Sequence, residues 1–163
     1  MPSELPLLAV FAAYLVTVLL VSAVIDARHF IIPNTANAAN LAGALAFAFV
    51  MPQSTLASAL LGGLIGGGAF VALAAAFRRI RRYDGLGLGD AKFMLGAGAW
   101  VGWQGLAPLV FVASSSALVY VALRRKMGEG FDPQAKIPFA PFLCAATLTV
   151  WSLQIFGYAP WLG

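Results

Sequence analysis

Two aspartates in this sequence stand where a carboxylate is expensive. Asp26 directly follows an uncharged apolar run in "SAVIDARHFIIPN", and Asp90 directly precedes another in "GLGLGDAKF". A charge near the hydrocarbon boundary is costly, so such residues are by default candidates facing protein or a water-filled cavity. Two carboxylates brought within a few ångströms cannot both ionise, and the pair then holds one proton between them. The ionised member takes a proton from water while the protonated member polarises a carbonyl, as in the aspartic proteases. A plainer reading stands beside this one. Asp90 would cap a helix starting at Ala91, and Asp26 would pair with Arg28 or Lys92. Gly87 and Gly89 weigh against it. Glycines admit backbone conformations closed to other residues and let another chain approach, and a simple cap needs neither.

No other constellation competes. His29 is the only histidine, which leaves an Asp/His metal cluster thin, and neither a metal nor a cofactor is expected. Cys144 is the only cysteine, so no disulfide framework or cysteine zinc site forms within the chain. It lies in an apolar segment and reads as a small buried hydrophobe. Ser114, Ser115 and Ser116 have no evident base and read as interhelical hydrogen bonders. Glu4, Asp84, Glu129 and Asp132 fall outside the apolar segments, where solvation costs nothing. Nothing points to a nucleic-acid partner.

The elements that must position the aspartates are membrane spans. Of 163 residues, 61% are hydrophobic and 10% charged, with a mean hydropathy of +0.89. Soluble domains carry about 25% charged residues, so one membrane-embedded domain over 1–163 is expected. Apolar segments run over Leu5–Ile25, Thr35–Met51, Leu56–Phe77, Ala91–Trp103, Leu106–Leu123 and Pro138–Phe156. The first gives roughly 31 Å of helix and reads as a retained span, because "MPSEL" is no basic signal-peptide start. "GGLIGGG" (Gly62 to Gly68) carries the small-residue spacing that lets helices approach closely.

Hydropathy allows five spans or six, and charge decides. All ten Lys and Arg residues fall at Arg28, at Arg78–Lys92 and at Arg124–Lys136. The positive-inside rule puts those three places in the cytoplasm. They share a side only if Ala91–Leu123 passes twice, turning near "GWQGLAP". The expectation is an all-α bundle of six transmembrane helices with both termini extracytoplasmic. Trp103 and Trp161 then fall at the outer boundary, where indoles are favoured. Trp100 and Trp151 read equally well as boundary or core aromatics.

Asp26, with Pro33 and Asn34 after it and "GLGD" about sixty residues on, resembles the type IV prepilin peptidases. These are membrane aspartyl proteases of the GxGD type. "GDAKFMLGAGAWVGWQ" is similar to the family's second catalytic segment, and "IPFAPFL" (Ile137 to Leu143) resembles a further motif. The resemblance implies a hydrolase of a prokaryotic cytoplasmic membrane, acting on type IV prepilins or pseudopilins. It would cut the short basic leader just cytoplasmic to the substrate's hydrophobic helix, after a glycine. The family aspartates map onto Asp26 and Asp90, with Gly87 and Gly89 as motif support and Lys92 as a possible tuning group or an ordinary interfacial lysine. Membrane lipids are further partners. Many members carry a cysteine-rich zinc loop and also N-methylate the trimmed pilin. This chain has no CxxC, so it resembles a short, peptidase-only form, and methyl transfer is not expected.

Two other classes stay open. A small ion- or proton-coupled transporter also pairs aspartates within helices, although it favours the midplane and internal repeats. A catalytically silent membrane subunit is the third.

Overall fold

The structure is a computed structural model that describes residues 4–52, 54–81, 87–127 and 138–157. Among these residues it is all helix: α1 (Leu5–His29), α2 (Asn34–Val50), α3 (Leu56–Arg81), α4 (Leu88–Lys126) and α5 (Ala140–Ile155). Helices α1, α3 and α4 are long and apolar enough to cross a membrane, and α5 is a shorter apolar helix. The chain is a multi-pass membrane protein.

Local sequence sets the ends. Pro6 and Pro141 sit in the first turns of α1 and α5, where a missing N–H breaks no helical bond. Helix α1 stops at Phe30, which takes a left-handed conformation (φ 56°, ψ 32°) and returns its N–H to the Asp26 carbonyl at 2.8 Å. Pro33 then opens α2 from an extended backbone (φ −59°, ψ 142°).

Helix α4 is not one rod. Gly102 interrupts it at φ 67° and ψ 176°, a conformation open in practice to glycine alone. The two arms, 88–101 and 103–126, fold back on each other. Gly66 of α3 faces both the Met94 carbonyl and the Leu106 side chain, which on a straight helix would lie roughly 18 Å apart. The turn expected near "GWQGLAP" is made by the first residue of that string.

Contacts order the bundle end to end. At one end Lys92 meets Asn34 and Ala140 meets Asp26; at the other, Ser58 meets Gln104 and Gln154 meets Val101. Successive segments therefore alternate in direction. Arg28, Arg78, Arg79, Lys92 and Arg124 to Lys126 all lie toward the aspartate end.

Glycine packing is as the spacing suggested. A Cβ on Gly62 would run into the Gly98 carbonyl, one on Gly98 into the Gly62 carbonyl, and one on Gly63 would stand 2.8 Å from the Leu95 carbonyl. The backbones of α3 and the first α4 arm thus touch. Gly68 faces open space and takes no part.

One open reading is decided and one expectation needs correction. Trp100 and Trp151 are core residues, 5.9 Å apart ring to ring and nearly perpendicular. The Ser116 hydroxyl returns to the Ala113 carbonyl of its own helix instead of crossing to another. Trp161, Asp84, Glu129 and Asp132 lie outside the described residues.

Candidate functional site

Asp26 lies in the last turn of α1. It is 6% exposed, and its Oδ2 accepts the Ala140 N–H at 3.1 Å. Ala140 opens α5, so this N–H is one of the donors that a helix start leaves without an internal partner. The third sequence motif is thereby tied to the first aspartate.

Asp90 lies in the first turn of α4. Gly87 is the N-cap, so Asp90 is the third helical residue of α4. Its N–H bonds the Gly87 carbonyl at 3.1 Å, and its carboxylate reaches back to the Gly87 N–H. That is the returning half of a capping box, in place of the N-cap role that the plainer reading offered. Both carboxylates therefore meet the start of a helix, where negative charge is favoured. Sixty-four residues apart in the chain, they lie within electrostatic reach of each other. Cys144, 5% exposed, lies within reach of both.

Neither motif glycine is required by its backbone angles, contrary to expectation. Gly87 has ordinary extended angles (φ −70°, ψ 136°), and Gly89 is helical. A Cβ on Gly89 would stand 3.7 Å from the Ile32 nitrogen, and one on Gly87 3.6 Å from Asp90 Oδ2, both ordinary contacts. What these glycines leave is bare backbone beside a carboxylate. Lys92 is exposed and donates from Nζ to Asn34 Oδ1 at 2.9 Å, clamping the first residue of α2 to α4. The plainer reading's pairing of Asp26 with Arg28 or Lys92 does not form among the described residues.

An asparagine stripe on α2 escapes a reading by charge and hydropathy. Asn34, Asn37 and Asn40 recur every third residue, and that helical spacing is the signal that could have found them. Asn40 Oδ1 accepts the Trp100 indole N–H at 3.1 Å, and its Nδ2 donates to the Phe93 carbonyl at 3.4 Å. Among the described residues no three His, Cys, Asp or Glu side chains gather as a metal site.

A helical membrane protein with two convergent carboxylates at the basic end of its bundle is what fold and site together define. Residues 13–122 match the type IV leader peptidase family. The chain is 35% identical over 158 residues to the leader peptidase HopD of Escherichia coli, covering 96% of this chain and 99% of that protein. It is 30% identical over 154 residues to HopD of Salmonella typhimurium (91% and 94%). Against the prepilin leader peptidase/N-methyltransferase of Aeromonas hydrophila it is 31% identical over 136 residues. That match covers 83% of this chain and only 47% of the relative, so the chain spans about half of the proteins named for both activities. No solved structure matches. The chain belongs to the type IV leader peptidase family, and it is a peptidase.

Proposed function

We propose that this chain removes the short basic leader of a type IV prepilin or pseudopilin, with Asp26 and Asp90 as its catalytic pair. One observation carries the reading. Two carboxylates from distant helices converge at the bundle end that gathers the basic residues, each tied to the first turn of a helix.

The chemistry is non-covalent hydrolysis. The ionised aspartate takes a proton from a water held between the pair, and the water oxygen attacks the scissile carbonyl carbon. The protonated aspartate gives its proton to the carbonyl oxygen. Collapse of the tetrahedral intermediate breaks the C–N bond, and the pair returns a proton to the departing amine. Bare backbone at Gly87 and Gly89 gives an extended substrate strand a surface to lie against. Lys92 acts at a distance, by holding the Pro33–Asn34 turn in place.

The reading extends to placement. Residues 1–163 act as one membrane-embedded domain in the inner membrane of a prokaryote. Its six spans put both termini outside and the aspartates at the cytoplasmic face, where acidic headgroups attract the basic loops. Single cysteines at Ser54 and Arg125 in a Cys144→Ala background test this with an impermeant thiol reagent on intact cells. Labelling at 54 and not at 125 is expected, and the reverse removes the cytoplasmic placement.

The deciding experiment is cleavage. Purified protein incubated with a prepilin should reduce its mass by that of the leader. An intact prepilin under conditions where the protein stays folded overturns the reading. The transporter alternative produces no such loss, and its aspartates would be sought at the midplane.

A further inference from the structure

Asn37 is a buried side chain that the proposed chemistry leaves without a task. It is 6% exposed, and neither its Oδ1 nor its Nδ2 has a hydrogen-bond partner. Its neighbours in the stripe are satisfied: Asn34 by Lys92, and Asn40 by Trp100 and Phe93. Helix register says where Asn37 lies. Asn34 meets Lys92, and Asn40 and Leu41 pack at Gly96, so α2 and the first α4 arm run side by side in the same direction. Asn37 falls between those two contacts, level with Phe93 and Met94 and so about one helical turn along the axis from Asp90.

A buried amide with both ends unpaired is costly, and an apolar side chain of the same shape at that place is neutral or stabilising. A core selected for packing alone has no use for it. Buried waters are bound at such groups, and a site one turn from a carboxylate gives a water a second polar partner.

We propose that Asn37 is a positioning residue for the catalytic pair, its amide holding a buried water against the Asp90 carboxylate. This rests on the peptidase reading above. It acts through Asp90 and does not touch substrate, so its removal slows the chemical step and leaves substrate binding alone.

The test uses the full-length protein in detergent with a purified prepilin, measuring kcat, KM and the thermal midpoint. Asn37→Leu is expected to lower kcat tenfold or more, to leave KM within twofold, and to keep or raise the thermal midpoint. Asn37→Ser, which retains a donor and an acceptor and frees room for water, is expected to recover most of the lost kcat. Asn37→Leu cleaving at the wild-type rate overturns the inference. So does a kcat loss that follows a fall in the thermal midpoint and that Asn37→Ser shares in full. Wild-type protein that does not cleave overturns the peptidase reading and takes this inference with it.

Discussion

The two ends of the bundle are built on opposite terms. At one, Phe11, Phe47, Trp100 and Trp151 pack ring against ring, Phe47 at 5.2 Å from Trp100 and 5.7 Å from Trp151. Asn40 serves that cluster by binding the Trp100 indole. At the other, a carboxylate is buried, a second lies within its electrostatic reach, and an asparagine is left unpaired. Ring packing fixes the segments to one another; converging carboxylates tend to push theirs apart. Such a division suits an enzyme whose frame is set at one end and whose chemistry is held at the other.

Mutation can break that division. Asp26→Asn and Asp90→Asn should each reduce cleavage by roughly a thousandfold or more with the fold intact, because Asn cannot exchange a proton. The double variant should be no worse than either single one. At the third helical position Asn still accepts the Gly87 N–H, so a folded Asp90→Asn that cleaves well would reduce Asp90 to a helix-end residue. Asp84→Asn is the acidic control and should cleave almost normally.

The aromatic end should respond the other way. Trp100→Ala should cost about 3–5 kcal/mol of stability, read by thermal unfolding, with little change in kcat per folded molecule. A large kcat loss without destabilisation would show that the two ends are not separable. Gly102→Ala should cost roughly 1–3 kcal/mol through its positive φ, and its methyl would also meet the Ser58 hydroxyl.

Smaller effects sharpen the dyad end. Gly87→Ala should unfold like wild type, since its methyl makes only ordinary contacts, yet should raise KM several-fold if substrate lies on that backbone. Unchanged KM would remove the surface from the substrate path. Smallest of all, these residues should transfer no methyl group from labelled S-adenosylmethionine to the trimmed pilin, and measurable transfer would refute that.

Much of this architecture is legible in the residues themselves. Charge clustering requires Ala91–Leu123 to double back, and Gly102 is where it does. The glycine run announces a close helix contact, and each aspartate announces itself by having an uncharged stretch on one side. Helix boundaries are not legible, because hydropathy ends where polarity begins while a helix continues as long as its backbone bonds are met. Hydropathy therefore ends its apolar runs at Ile25 and Ala91, one residue short of aspartates that lie in the end turns of the helices. The roles of Gly87 and Gly89 are hard to read because a glycine in sequence does not say whether its angles, its packing or its bareness matters. Trp100 and Trp151 are ambiguous because an indole suits a membrane boundary and a core alike.

One feature of the fold governs depth. The first arm of α4 holds fourteen residues between its start and the Gly102 break, roughly 21 Å of helix. The hydrocarbon layer of a typical bilayer is about 30 Å thick, so such an arm crosses it only with an end below a surface or with the bilayer thinned around it. With Gly102 level with one surface, Asp90 is sunk several ångströms below the other unless the bilayer thins around it. On the proposed reading, the bond to be cut must then be drawn beneath the headgroups, and water must follow it down.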